Sequence, residues 1–492
     1  MALAAVSLAN FMAYLDNNVT NVAIPTIQRD LHLSAAGLEW IVSSYLLVLA
    51  GLLLVGGRVA DVFGRRRVFL IGLAIFTLSS LAAGLADSGG MLIGARAVQG
   101  FGAAMMMPAT LAIILATFTN AKERAAAIGI WGGVGALALA LGPVIGGLIS
   151  QHIHWGWIFL INVPVGVVTL AVALPSVAES RAEEGLAGGS LARRLDFPGL
   201  VSSALALFAL TYALIEGQDL GWTSAPILAS FSAAAVALAV FLLIETRTSH
   251  PMVALPIFRS RVFSGGTVTM MIWGFGILGI YFFTSLYLQR VLGFSPTKAG
   301  LAFVPMALCV AVFSVISPRV AAVLSAHRTV ALGMLVMVAG LVLFARIGAA
   351  ATYGSLMPGF ILFGAGAGLM NVPLMNAIME AAPAAQAGVA SALINASREV
   401  AGLLGVTVIG AVLWNRDASA LRGGASASAA FVDGYHVGLW VTIALLAAGV
   451  VLSYVTLRPK AAPAELTVVA EPGAAGDAVP ADTVRTDSPA AL

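Results

Sequence analysis

Charge is what this sequence has least of. Asp, Glu, Lys and Arg make up 10% of its 492 residues, while 60% are hydrophobic and mean hydropathy is +0.99. Soluble domains carry about a quarter charged residues, so the chain reads as an all-α integral membrane protein that crosses the bilayer many times. Its one cysteine, Cys309, excludes an intrachain disulfide and a cysteine-cluster metal site. The six histidines fall in or beside loops; His152 and His154 form an HxH pair, but no acid or cysteine stands near them in sequence, and no metal is expected. Lysine is scarcer still. Lys122, Lys298 and Lys460 are all there are, and none follows a glycine, so the GK[ST] of a P-loop ATPase is absent. Neither a TVGYG filter nor a G-x-S-x-G elbow occurs, nor paired acids at glycosidase spacing, so a channel of that class and an enzyme are unsupported. A pI near 9.2 does not point to nucleic acid, because the basic residues are spread over short loops and form no cluster.

What is there is a succession of apolar runs of about 20 residues, the length that crosses about 30 Å of hydrocarbon. They fall near 3–24, 38–57, 68–86, 91–117, 124–149, 156–175, 198–215, 225–244, 263–288, 299–317, 329–348, 355–379, 393–414 and 437–457, which predicts fourteen spans. The first has no basic n-region and is long enough to span, so it is not a cleaved signal peptide; a start upstream of Met1 stays open. With both termini on one side, seventeen Lys and Arg lie in loops and tail on that side and six on the other, which places the termini in the cytoplasm. Residues 176–197 read as a polar cytoplasmic linker, and the Ala/Pro-rich tail from Pro459 as disordered.

An internal repeat divides the chain further. "VGGRVADVFGRRRVFLIG" (55–72) aligns without gaps on "ISPRVAAVLSAHRTVALG" (316–333), each lying between the second and third runs of a six-run set. Two pseudo-symmetric six-helix bundles are expected, helices 1–6 within 1–175 and helices 9–14 within 262–458. Helices 7 and 8 would be inserted within 176–261, and the tail would occupy 459–492. Related halves around a shared path are a transporter layout.

Polar residues inside the runs are costly in lipid and mark function or close packing. In "FMAYLDNNVTNVAIP" (11–25), Asp16 and Thr20 are four apart and Asn17 and Asn21 share a neighbouring stripe, giving helix 1 one polar face. "GARAVQGFG" places Arg96 and Gln99 in an otherwise uncharged helix. Arg96 must then face a cavity or an acid, or else reach the headgroups from the membrane edge. Gly135, Gly142 and Gly146 line one stripe of helix 5, where Pro143 removes a backbone donor and Gly147 follows. Of twenty-two Asp and Glu, only Asp16 and Glu399 sit deep in a span, with Arg398 beside Glu399. A proton-coupled carrier needs a desolvated acid of this kind, and Asp16 is favoured by position.

These stretches together resemble the major facilitator superfamily, in its fourteen-span drug:proton antiporter branch. The carriers of the likeness are G-x3-D-x2-G-R-R-R at Gly57, Arg58, Asp61, Gly64, Arg65 and Arg66, the R-x2-Q-G-x-G at Arg96, the G-P-x2-G-G ending of helix 5 and the L-D-x2-V-x-N-V-A-I-P of helix 1. The resemblance implies a gate at Asp61 bridging the two halves, proton coupling through Asp16 and Arg96, and export as the direction. It implies proton-coupled antiport of amphipathic small molecules by alternating access in the cytoplasmic membrane, driven by the proton gradient with no cofactor, in a chain for which a monomer suffices. Import or uncoupled facilitation of a metabolite is the alternative. Tyr14, Asn17, Thr20, Trp40, Tyr45, Gln99, Met106, Trp131, Trp273, Tyr281 and Met370 are candidates for an adaptable cavity, in which methionine repacks around varied ligands; the same residues also suit ordinary helix packing.

Overall fold

The computed structural model describes residues 1–181, 196–248, 253, 255–382 and 387–458. Residues 182–195 of the linker expected over 176–197, and the tail expected over 459–492, lie outside the described residues. Among the described residues the chain is helical, with no strand. The first bundle holds α1 (Ala2–Leu31), α2 (Ala35–Phe63), α3 (Arg65–Gly84), α4 (Gly89–Thr117), α5 (Ala121–His152) and α6 (Trp157–Ser176). Next come α7 (Phe197–Leu220) and α8 (Ala225–Arg247). The second bundle holds α9 (Arg261–Val291), α10 (Pro296–Leu324), α11 (Ala326–Phe344), α12 (Tyr353–Glu380), α13 (Ala387–Arg422) and α14 (Ala427–Thr456).

Thirteen of these helices are long and apolar enough to cross a membrane, which makes this a multi-pass membrane protein. The expected count of fourteen is not reached on that measure. The missing one is α1, 30 residues long but diluted by Asn10, Asp16, Asn17, Asn18 and Asn21. Other helices outrun the apolar segments that announce them. At 36 residues, α13 measures about 54 Å at 1.5 Å per residue, so its polar turns with Arg416, Asp417 and Arg422 extend beyond any hydrocarbon layer.

The halves repeat one packing plan. In the first, α4 packs on α2 and α3, α1 on α5 and α6, and α3 on α6; in the second, α12 packs on α10 and α11, α9 on α13 and α14, and α11 on α14. The inserted α7 and α8 pair with each other, and α7 also touches α2 and α13. Across the seam the contacts follow the same symmetry, α2 on α13, α5 on α10 and α1 on α9.

Hydrogen bonds across the seam are confined to one end. The deepest is Arg398 Nη2 to the Tyr14 hydroxyl at 3.1 Å, midway along α1. All others described lie farther from the chain termini. Pro25 creates one of them. Lacking an N–H, it leaves Asn21 O without its helical donor, and Ser285 Oγ of the other half donates there at 3.0 Å. Gln289 Nε2 donates to the next carbonyl, Val22 O, at 2.9 Å. Nearby, Arg290 donates to Gln28 Oε1. Thr297 adds two more, its Oγ1 donating to Gly147 O at 3.2 Å and its N–H to Gln151 Oε1 at 3.1 Å, and Trp414 Nε1 of α13 donates to Glu39 Oε1 of α2 at 2.6 Å. Toward the termini no hydrogen bond crosses the seam among the described residues, and Gly129, Gly132 and Gly133 of α5 have no neighbour within 4 Å of where a Cβ would stand.

Candidate functional site

Inside the first bundle, five helices contribute to a network around one carboxylate. Asp16 of α1 and Arg96 of α4 are both fully buried, with Arg96 Nη1 2.5 Å from Asp16 Oδ2. The other oxygen, Oδ1, accepts from Gln99 Nε2 and from Asn162 Nδ2 of α6, each at 2.8 Å. Gln99 lies one helical turn after Arg96, so both reach the same point from one face of α4. Its amide bridges the group, accepting from Arg96 Nη1 at 2.6 Å and donating to Ser80 Oγ of α3 at 2.8 Å. Arg96 Nε donates to Ile41 O of α2 at 3.2 Å, and its guanidinium lies over the Tyr45 ring at 4.3 Å and the Phe159 ring at 5.6 Å.

The arrangement answers the question of how Arg96 is accommodated: it meets an acid and two ring faces and does not reach for headgroups. Its chemistry is that of a charge balance. Every donor aimed at Asp16 presupposes a carboxylate, so a proton on Asp16 would remove the negative charge that Arg96 neutralises and replace an acceptor with a donor.

A second ion pair stands at the seam. Arg398 Nη2 lies 2.7 Å from Glu399 Oε1 and also holds Tyr14, two residues before Asp16. Because α13 begins at Ala387, this pair sits more than three turns inside the helix and not at its start. The seam thus places the Arg398–Glu399 pair beside the helix that carries Asp16.

Helix 5 uses its glycines for close approach. A Cβ on Gly142 would fall 2.5 Å from Asn18 Cβ and one on Gly146 2.6 Å from Val19 O, so both admit α1. Gly135 faces Asn10 and Tyr14 in the same way. Gly147 faces α10, where a Cβ would fall 2.4 Å from Pro296 O, and Gly300 of α10 faces Pro143 O of α5.

The loop from Gly57 to Arg66 behaves otherwise than expected. Asp61 pairs with Arg65 in its own half at 3.0 Å and makes no hydrogen bond to the other half among the described residues. Glu179, after α6, straps the loop by accepting from Arg66 N at 3.1 Å and standing 3.5 Å from Arg67 Nε. Gly64 turns the chain at φ +113°, and Arg58 precedes it on the last turns of α2.

Several cavity candidates are packed against neighbouring side chains or helices in this structure. Met106 and Met370 are fully buried between helices, the latter against Gly333. Thr20 donates to Asp16 O along its own helix at 2.8 Å. Trp40 donates to Glu216 Oε1 at 2.7 Å and lies against Phe208 and Tyr212 of the inserted α7. Tyr45 and Gln99 belong to the Asp16 cluster. Asn17 is half-buried on α1, and Trp131 accepts from Asn10 at its backbone carbonyl, 3.1 Å. The indole N–H of Trp273 and the hydroxyl of Tyr281 are buried without a partner among the described residues.

Sequence reasoning missed Ser80, Asn162 and Glu39. A lone asparagine in the apolar "WIFLINVPVG" was a usable signal for Asn162, whereas nothing distinguished Ser80. Glu39 was passed over because it stands near the start of α2, yet it is 1% exposed.

The sequence pattern of the Major Facilitator Superfamily matches residues 6–406. This chain belongs to that superfamily. Among its relatives, the multidrug resistance protein Stp of Mycobacterium tuberculosis is 36% identical over 417 residues, covering 84% of this chain and 75% of the relative. The tetracenomycin C resistance and export protein of Streptomyces glaucescens is 35% identical over 446 residues, 89% and 82% of the two chains. The superfamily fold is found in the crystal structure of an auto-inhibited POT family peptide transporter, at TM-score 0.67 and 14% identity, covering 92% of this chain and 96% of the other.

Proposed function

We propose that this protein exports amphipathic small molecules, antibiotics among them, across the cytoplasmic membrane in exchange for protons. The carrying observation is the enclosed Asp16–Arg96 pair, a charge balance that one proton upsets. The names of the resistance and export relatives support the direction, as do the helix 5 glycines that let α5 approach α1 and α10 closely. In this reading α1 is a fourteenth span, made less apolar by the very residues that bind the proton. The termini are cytoplasmic, as the loop arginines favour, so the hydrogen-bonded end of the seam faces outward and the other end inward. A monomer works by alternating access between the two bundles, with the proton gradient as its drive and no cofactor.

The test is accumulation of a fluorescent amphipathic dye by energised cells that make the protein. Expected is a lower dye level than in cells without it, restored by a protonophore. A higher level would mean import, and indifference to the protonophore would mean an uncoupled carrier.

A further inference from the structure

Proton exchange at Asp16 leaves the buried Glu39 without a task. Glu39 sits at the second turn of α2, where that helix meets α13 of the opposite half, and is 1% exposed. Trp414 Nε1 donates to its Oε1 at 2.6 Å. Its Oε2 has no hydrogen-bond partner among the described residues. The carboxyl group lies on bare backbone, since a Cβ at Gly410 would fall 2.0 Å from Oε1.

No cation forms an ion pair with Glu39 among the described residues. The charged groups that α7 turns toward it are acids, Glu216 and Asp219. On the far side of the seam, Arg290 of α9 lies over the Trp414 ring at 5.3 Å and is shared with Gln28 and Asp417. From α1, α3 and α4, which also pack on α2, no hydrogen bond or ion pair reaches Glu39 among the described residues. An ionised carboxylate here would hold one neutral donor, face two like charges and lack water. A protonated one carries no charge into the seam and has a hydroxyl to offer. Parting α2 from α13 would return the group to water, where its ionised form is well solvated.

We propose that Glu39 is a proton-binding latch of the outer seam: it is protonated when α2 and α13 close over it and gives that proton up when they separate. Linkage fixes the sign. Since the closed seam binds a proton that the open seam releases, acid outside favours closure and alkali favours opening. The latch is separate from Asp16, whose ion-pair and hydrogen-bond partners among the described residues all belong to the first bundle. It rests on the export reading for the naming of the outer side.

The experiment reads the seam directly. Cys309→Ser removes the native thiol, and Asp30→Cys with Ala425→Cys, both exposed at the outer end, carry spin labels on opposite halves. Distances are measured in lipid nanodiscs from mildly acidic to mildly alkaline buffer, without substrate or gradient. The protein with native Glu39 is expected to hold the short distance in acid and to gain a longer-distance population as pH rises. Glu39→Gln, a neutral stand-in for the protonated acid, is expected to lose that shift and stay short throughout. A flat course with Glu39 in place overturns the latch, and so does a Glu39→Gln course that tracks it. Because no transport is measured, failure here leaves the export assay standing, and failure of export leaves this result standing.

Discussion

Arg96→Met is expected to be among the most damaging single changes in the protein. It takes the cation from a fully buried carboxylate and leaves Asp16 with two neutral donors, Gln99 and Asn162. Breaking one side of a buried ion pair costs about 3–5 kcal/mol, because the remaining charge stays desolvated. Native domains have only about 5–15 kcal/mol in total, so a marked fall in thermal stability in detergent is expected, together with loss of export. Methionine fills much of the same volume against Tyr45 and Phe159, so the loss reports charge more than cavity. The double variant Asp16→Asn with Arg96→Met, which leaves no buried charge, is expected to recover most of the stability and none of the coupling. A single variant as stable as the parent would mean that Asp16 is neutral in the resting protein and that the pair is not held by charge.

Gly300→Leu is expected to arrest transport while leaving both bundles folded. Its Cβ would fall 2.0 Å from Pro143 O, and the clash is with backbone, which a rotamer change cannot relieve. The wedge would part α5 from α10 and break the two hydrogen bonds from Thr297 to Gly147 and Gln151. Because Gly300 faces across the seam, the cores of the two bundles are untouched, and a monodisperse protein is the expected product. Labels at Gln151 and Lys298 should then report a longer distance, and dye export should fall to background. Normal export with the wedge in place would show that the α5–α10 contact is not part of the working cycle.

How much of this was legible beforehand depends on what each residue must do locally. The repeat and thirteen of the fourteen expected spans were written in the apolar runs, because lipid demands length and a duplicated segment keeps its spacing, whereas α1 is too rich in polar residues to match the others in apolarity. Asp16, Arg96 and Gln99 declared themselves as polar residues in apolar surroundings, and the structure brings all three together. Ser80 and Asn162 did not, since a serine or a lone asparagine in a helix is common and only the fold shows that Asn162 reaches the same carboxylate and that Ser80 holds Gln99 beside it. The cavity candidates were the least legible. Met106, Met370 and Thr20 have side chains equally at home in helix packing, and nothing local distinguishes the two roles. Asp61 was expected to bridge the halves, but its partner is Arg65, four residues on in its own half. Glu39 shows the opposite failure. Its place near a helix start suggested water, whereas α13 closes over it from the other end of the sequence.

The central claim is that Asp16 carries the exchanged proton. Its most direct test uses proteoliposomes with a fluorescent amphipathic dye and an imposed pH gradient, comparing the native protein with Asp16→Asn. The variant is expected to lose gradient-driven dye movement while exchange of dye without a gradient survives. Gradient-driven movement at the native rate in Asp16→Asn would contradict the claim and move the coupling role to the Arg398–Glu399 pair.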